Sequence, residues 1–212
     1  MTDIPNPGST KIRMPWFVYW LKYKPRVKQL AKVHINEGDV VFLGDSLTEW
    51  NDWQTAFPEI KVHNFGIAGD TSYGVLSRIH QITSGNQPSK LFLLIGTNDM
   101  FTFGRVGMKE LLLNIETILK SIRTSFPETK IYVQGIMPRQ VKYGEAIKQL
   151  NMKIEKLISR CGENYLDLWP IMDDGTGKLR REYTRDNLHL NDTAKRKWIE
   201  YLRPLVIDSQ TQ

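Results

Sequence analysis

Ser46, in the run Gly44-Asp45-Ser46-Leu47, and His189, in Asp186-Asn187-Leu188-His189, are the residue types that carry nucleophilic acyl transfer. A serine hydroxyl is a weak nucleophile until a base takes its proton, and an imidazole within hydrogen-bond reach does so near neutral pH. Asp186 stands three residues before His189, so a local turn can aim its carboxylate at Nδ1, fixing the tautomer and stabilising the imidazolium that forms during attack. The same chemistry needs donors for a developing oxyanion. Candidates are the Ser46 N–H at a strand-to-helix turn, the Gly69 N–H in Gly66-Ile67-Ala68-Gly69-Asp70-Thr71, and the side-chain amide of Asn98 in Gly96-Thr97-Asn98-Asp99.

These groups are far apart in sequence, so the fold must gather them. Short apolar runs at 39–43 (DVVFL), 60–65 (IKVHNF), 90–95 (KLFLLI), 130–136 (KIYVQGI) and 164–168 (NYLDL) are read as strands buried on both faces. Segments at 72–82, 108–125, 144–160 and 191–207 have helical spacing. In the second of these Met108, Leu111, Leu112, Ile115, Ile118, Leu119 and Ile122 make one stripe. Strand and helix in alternation imply parallel strands joined by right-handed crossovers. The expected α/β fold is therefore a three-layer α/β/α sandwich around a doubly wound, five-stranded parallel sheet. Ligands of such sheets bind beyond the carboxyl ends of the strands. The serine block follows the first strand, the Gly69 block the second and the Asn98 block the third. The histidine block comes after the fifth strand and the long aperiodic segment from Pro170 to Arg185. All four are expected on one edge.

A chain of 212 residues suits one core: an N-terminal arm over 1–15 and a single domain over 16–212. Within PWFVYWLKYKPRVKQLAKV, Pro25 predicts a kinked helix or two short ones. Its Trp16, Phe17, Tyr19 and Trp20 are read as packing onto the domain in preference to lying on a membrane surface. No run approaches the ~20 apolar residues of a membrane helix, and no stable membrane insertion is expected. The formal charge is +6, with basic residues scattered among acidic ones apart from clusters at Lys22 to Lys28, Arg180 to Arg185 and Lys195 to Lys197. None resembles a nucleic-acid-binding motif, so nucleic acid is not the expected partner. Residues 1–15 lack the apolar core of an export signal, which gives a cytoplasmic expectation. A leader trimmed before Met1 would leave no trace. Cys161 is the only cysteine, so no internal disulfide forms; it is read as filler near a helix end. No His, Asp and Glu set has metal-ligand spacing, and no cofactor is expected.

GDSLTEW, NFGIAGDTS, IGTND and DNLHL together resemble the ordered blocks of the GDSL/SGNH hydrolase family, across residues 44 to 189. The resemblance implies a flavodoxin-like sandwich. It also implies Ser46 as nucleophile and oxyanion donor, Gly69 and Asn98 as the rest of the oxyanion hole, and Asp186 and His189 as the remaining triad members. FGIAGDTSYGVLSRI and GIMPR look most like the branch holding platelet-activating-factor acetylhydrolase catalytic subunits and bacterial acetylesterases, which implies small acyl groups. The expectation is thus a serine esterase for acetyl or similarly short esters of a carbohydrate or other polar alcohol, with a small-molecule ester as its partner. A lysophospholipase or phospholipid acetylhydrolase competes within the class. A non-catalytic binding protein on the same fold is the rival from another class, disfavoured because Ser46, Asn98 and His189 are all present. Oligomeric state is left open, a homo-oligomer included.

Trp50, Trp53, Tyr73, Met100, Phe101, Phe103, Met137 and Arg139 follow the catalytic strands or motifs. Of these Trp50, Tyr73, Phe101, Met137 and Arg139 are expected to bind substrate, with core packing as the alternative for each. Asp45 is read as holding the serine turn, Asp70 and Thr71 as capping the next helix, and Asp99 as supporting the Asn98 loop. His34, His63 and His80, none with a carboxylate at suggestive spacing, are read as structural, and Asp173-Asp174 as a solvated turn rather than a cation site.

Overall fold

The computed structural model describes residues 16–101, 107–139 and 143–207. Five strands, β1 (Val40–Gly44), β2 (Val62–Gly66), β3 (Lys90–Leu94), β4 (Lys130–Gln134) and β5 (Asn164–Leu166), form one sheet in the order β2-β1-β3-β4-β5. All four pairings are parallel, as the alternating pattern predicts. β1 is the hub: Gly44 stands in register with Gly66 of β2 and Leu94 of β3, so the chain segments leaving these strands emerge side by side. The strand order reverses direction between β1 and β3, which is where open α/β sheets bind ligands.

Successive strand residues point to opposite faces, and the core divides accordingly. Val41, Leu43, Leu91, Leu93, Ile131 and Val133 pack on one side against α5 (Ser72–Arg78), α8 (Met108–Ser125), α9 (Gly144–Arg160) and the N-terminal helix. Val40, Phe42, Phe92 and Leu94 face the other side, toward α4 (Trp53–Ala56), α10 (Trp169–Met172) and α11 (Asp192–Val206). There the rings of Trp53, Phe42, Phe92 and Tyr132 stack in a row at centroid spacings of 3.9, 4.9 and 4.8 Å. Trp53, expected near the site, belongs to this core. Helix α8 buries Leu111, Ile115, Ile118, Leu119 and Ile122 as the stripe requires, with Met108 and Leu112 only partly covered.

Several boundaries move. The 72–82 helix is two, α5 and α6 (His80–Thr83). The last three strands end one or two residues earlier than read, and β1 and β2 start later, because periodicity marks burial rather than hydrogen-bond pairing. The N-terminal helix is continuous but changes pitch: α1 (Trp16–Val18) passes into a π segment, Tyr19–Tyr23, and then α2 (Lys24–Leu30), with Pro25 in its first turn. Proline lacks an N–H and crowds the preceding turn; the wider π turn just before it relieves that conflict without breaking the helix. The arm 1–15 lies outside the described residues. The segment after Pro170 is ordered by two antiparallel bridges, Asp173 with Leu179 and Thr184 with Leu190. Among the described residues no helix is long and apolar enough to cross a membrane.

Candidate active site

Ser46 opens the short helix α3 (Ser46–Glu49) directly after β1. Asp45 is its N-cap, accepting the Leu47 N–H at 2.9 Å, which is the turn-holding role expected of it. On the far side of the site the bridge between Thr184 and Leu190 closes a loop whose tip contains Asn187 at φ 67°. Asparagine tolerates this left-handed conformation better than other side-chain-bearing residues, and it folds Asp186 back onto the residues that follow. Asp186 Oδ1 accepts the backbone N–H groups of Leu188 (3.1 Å) and His189 (2.7 Å), while Oδ2 lies 2.5 Å from His189 Nδ1. His189 Nε2 in turn lies 3.0 Å from Ser46 Oγ across 143 residues of chain. The hydroxyl, imidazole and carboxylate thus stand in one hydrogen-bonded line. Burial works to raise the Asp186 pKa, but the histidine ring and the two backbone N–H groups outweigh it and bring the carboxyl down to about 2. It is a fixed negative charge at any ordinary pH.

The donor side is assembled differently. Gly69 has φ 79°, a conformation that favours glycine, and turns the chain between β2 and α5. Asn98, in α7 (Thr97–Phe101), donates one amide hydrogen to the Asp70 carbonyl at 2.9 Å. This contact ties the Asn98 side chain to the residue next to Gly69 and leaves the second amide hydrogen free to aim elsewhere. Beneath them Asp70 is buried and takes the Tyr23 hydroxyl (3.0 Å), the Arg78 Nε (2.8 Å) and the Thr71 N–H (3.0 Å). Arg78 also reaches the carbonyls of Phe65 and Gly44, binding the ends of β1 and β2. Thr71 caps α5 through the Gly74 N–H. Asp70, expected only as part of a cap, is the centre of this cluster.

Asp99 supports the Asn98 loop as expected, accepting both the N–H and the hydroxyl of Ser72; Asn114 of α8 donates to the same hydroxyl. Burial raises the Asp99 carboxyl to about 6 and the Asp45 carboxyl to about 7. Glu49 accepts the Ala68 N–H at 2.6 Å, linking the serine helix to the glycine loop. This close seat requires Gly66, where a Cβ would collide with the Glu49 backbone. Arg26 donates to the Gly66 and Asn64 carbonyls. Tyr23, Arg26, Glu49, Arg78 and Asn114 were not singled out in the sequence. Glu49 and Arg78 lie inside recognisable blocks, whereas the partners of Tyr23, Arg26 and Asn114 on other elements are remote in sequence.

The flanking residues divide. Trp50, half exposed, lies over the His189 ring with centroids 4.1 Å apart and a 40° tilt. With Arg185, Asp186, His189, Leu190, Asn191 and Asp192 it lines an open cleft of about 490 Å³. Arg139 is half-buried; desolvation lowers its pKa, opposed by the charges of Tyr143, Asp186 and Asp45, so it lies within electrostatic range of Asp186. Tyr73 and Met100 are half-buried against the α8 side of the core. Met137 is a correction: it is buried in the opposite core cluster with Phe42 and Leu94, because past the end of β4 the chain leaves the strand's face alternation, which would have set it beside Ile131 and Val133. The Phe101 side chain and all of Phe103 lie outside the described residues. His63 keeps a structural place, buried at the opposite end of the sheet from Ser46 and 2.7 Å from Asp39, a carboxylate 24 residues away in the chain; His34 and His80 are exposed. Asp174 makes the expected local turn, accepting the N–H and hydroxyl of Thr176, and Cys161 caps the end of α9, half-buried. Among the described residues no three potential metal ligands cluster.

A three-layer sandwich on a parallel sheet, with a serine and a histidine hydrogen-bonded beyond the sheet's carboxyl edge, has the layout of a serine hydrolase. The model of the GDSL-like lipase/acylhydrolase family matches residues 42–197, and the chain belongs to that family of ester hydrolases. It is similar to the platelet-activating factor acetylhydrolase IB subunit alpha2 of Gallus gallus, 33% identical over 183 residues, covering 81% of this chain and 77% of that protein. Against the Homo sapiens counterpart the match, also 33% identical, is 127 residues long, and the chain spans about half (53%) of that relative's length. A solved Streptococcus pneumoniae protein whose name refers to platelet activating factor superposes with a TM-score of 0.81 at 26% identity, over 90% of this chain and 95% of that one. The acetylxylan esterase Axe2 of Geobacillus stearothermophilus shares the fold, with a TM-score of 0.66 at 15% identity over 81% and 95% of the two chains.

Proposed function

We propose that the chain is a serine esterase for acetyl or similarly short esters of a polar, hydroxyl-rich alcohol, working through an acyl-enzyme on Ser46. The observation that carries this reading is the line Ser46 Oγ, His189 Nε2, His189 Nδ1, Asp186 Oδ2, at 3.0 and 2.5 Å. Ser46 Oγ bonds to the ester carbonyl carbon as its proton passes to His189 Nε2. The oxyanion is held by the Ser46 and Gly69 N–H groups and the free amide hydrogen of Asn98. Collapse breaks the bond to the alcohol oxygen, which takes the proton from His189. Water, deprotonated by the same histidine, then attacks the acyl-enzyme and releases the acid and Ser46. No cofactor takes part.

The alcohol side of the reading is supported by the cleft next to His189, the group that hands a proton to the leaving oxygen. Arg185, Asp186, Asn191 and Asp192 make its lining polar and Trp50 gives it one flat apolar face, while Arg139 is within electrostatic range of Asp186. A phospholipid acetylhydrolase is the second reading, favoured by the 33% identity to the alpha2 subunit.

The reading is tested with p-nitrophenyl acetate: Ser46→Ala and His189→Ala should each cost roughly 10⁴- to 10⁶-fold in kcat, and rates equal to wild type would overturn it. An acetyl-to-decanoyl series should fall sharply beyond butyryl. An acetylated oligosaccharide turning over faster than an acetyl glycerophospholipid selects the polar alcohol; the reverse order selects the second reading.

A further inference from the structure

The +6 charge is less evenly spread than a first reading of the sequence suggests. Residues 4–36 contain Lys11, Arg13, Lys22, Lys24, Arg26, Lys28 and Lys32 and no Asp or Glu. That single segment is net +7, so the remainder of the chain is −1. The same segment carries three large apolar side chains turned to solvent. On the N-terminal helix, Tyr19, Tyr23, Val27 and Leu30 point into the core, while Phe17 is 52%, Trp20 48% and Leu21 74% exposed. Of the aromatics expected to pack on the domain, Tyr19 does so and Phe17 and Trp20 do not; the Trp16 side chain lies outside the described residues. Lys22, Lys28 and Lys32 are exposed, and the Lys24 ammonium lies 3.8 Å from the Trp20 ring centroid.

The helix also has a definite direction relative to the site. Tyr23 and Arg26 bond to Asp70 and Gly66, at and just beyond the carboxyl end of β2, whereas the chain after Leu30 descends to Asp39 at the amino end of β1. Following the axis back from Tyr23 therefore leads past the strand ends on the catalytic side. Phe17, Trp20 and Leu21 lie two to six residues farther on, ~3–9 Å at helical rise.

From these observations we propose that the N-terminal helix is an interfacial anchor that seats the catalytic edge reversibly on an anionic lipid bilayer. Phe17, Trp20 and Leu21 enter the headgroup boundary, and the lysines meet the lipid phosphates. Amphipathic helices with aromatic and leucine side chains on one face and lysines beside them bind at this depth without spanning the membrane. A second copy of the chain is a poorer occupant, because two-fold pairing of this face would set its lysines against their own images. Nucleic acid would use the charge but leave the exposed Leu21 and Phe17 without a role. The inference goes beyond the esterase reading and does not depend on Ser46.

The test is flotation of the full chain, as the Ser46→Ala variant so that hydrolysis plays no part, with vesicles of phosphatidylcholine alone or with one-third phosphatidylglycerol. Partition onto the anionic vesicles should exceed that onto neutral ones by about ten-fold or more and fall as salt rises. Trp20→Ser/Leu21→Ser and Lys22→Glu/Lys28→Glu should each remove most of it, with unchanged melting temperatures, since none of these side chains is in the core. Equal partition onto both vesicle types, or undiminished binding by the Trp20/Leu21 variant, overturns the proposal. So does a wild-type dimer in sedimentation that the Trp20/Leu21 variant converts to monomer, which would reassign the face to self-association. Loss of p-nitrophenyl acetate hydrolysis in the otherwise native enzyme would bear on the esterase reading alone.

Discussion

Replacing Asp186 by asparagine should be more damaging than deleting its carboxylate altogether. The reason lies in which oxygen does what. Oδ1 is the target of two backbone donors, the N–H groups of Leu188 and His189 at 3.1 and 2.7 Å, and Oδ2 faces His189 Nδ1. An asparagine must keep its oxygen toward the two N–H groups, because the flipped amide would set its own NH₂ against both. Its NH₂ is then forced onto Nδ1, which becomes an acceptor, so the proton moves to Nε2 and the ring donates to Ser46 instead of receiving from it. A tautomer locked the wrong way costs ~10⁴ in kcat, about 5 kcal/mol. Alanine removes the charge but locks nothing. The Asp186 side chain is 53% exposed, so water can take its place at Nδ1 and at the two backbone donors. What is lost is a charge-assisted hydrogen bond, ~1.5–3 kcal/mol or roughly 10- to 150-fold. Steady-state kinetics on p-nitrophenyl acetate should therefore rank wild type above Asp186→Ala and Asp186→Ala about a hundred-fold above Asp186→Asn, with KM little changed in either. Asparagine equal to or better than alanine, in variants that melt like wild type, would refute the orientation argument.

Three other outcomes are expected. If its second amide hydrogen acts on the oxyanion as proposed, Asn98→Ala should lower kcat by roughly 10²- to 10³-fold with little effect on KM; a change confined to KM would move Asn98 out of that role. Arg78→Met strands the buried Asp70 carboxylate with only Tyr23 and the Thr71 N–H, at a cost of about 3–5 kcal/mol and a melting point roughly 6–20 °C lower, readable by calorimetry. The Asp45 carboxyl, raised by burial to about 7 against an ordinary 3.8, is protonated in the fold over a range where the unfolded chain has released its proton. Its contribution to stability is complete below about pH 4 and is lost as pH rises through 7. Denaturant melts between pH 5 and 8 should show that decline, and Asp45→Asn should flatten it.

The two halves of the site differed in how far the sequence exposed them, and the cause is contact range. Asp186 and His189 are three residues apart on an exposed turn, and Ser46 with its capping Asp45 sits at a strand-to-helix junction. Such arrangements are local, so residue type and spacing reveal them. The sheet was legible for the same kind of reason, its strands being short apolar runs set off by helical periods. The support under Gly69 and Asn98 is not local. Tyr23 reaches Asp70 across 47 residues, Arg78 reaches the Gly44 carbonyl across 34, and Asn114 reaches Ser72 across 42. No spacing rule announces a tyrosine whose hydroxyl serves a carboxylate on another element, nor the face on which Met137 or His63 will fall. The same division has a physical consequence. The acid–base half is partly exposed and held by its own backbone, so substitutions there should cost turnover while leaving the fold intact. The half proposed to hold the oxyanion is built into the buried junction of β1, β2, α5 and the N-terminal helix, where one carboxylate, Asp70, answers to a tyrosine and an arginine from two elements. Substitutions at Tyr23 or Arg78 cannot spare stability while altering catalysis, and the ratio of the two losses distinguishes positioning residues from groups that touch the substrate.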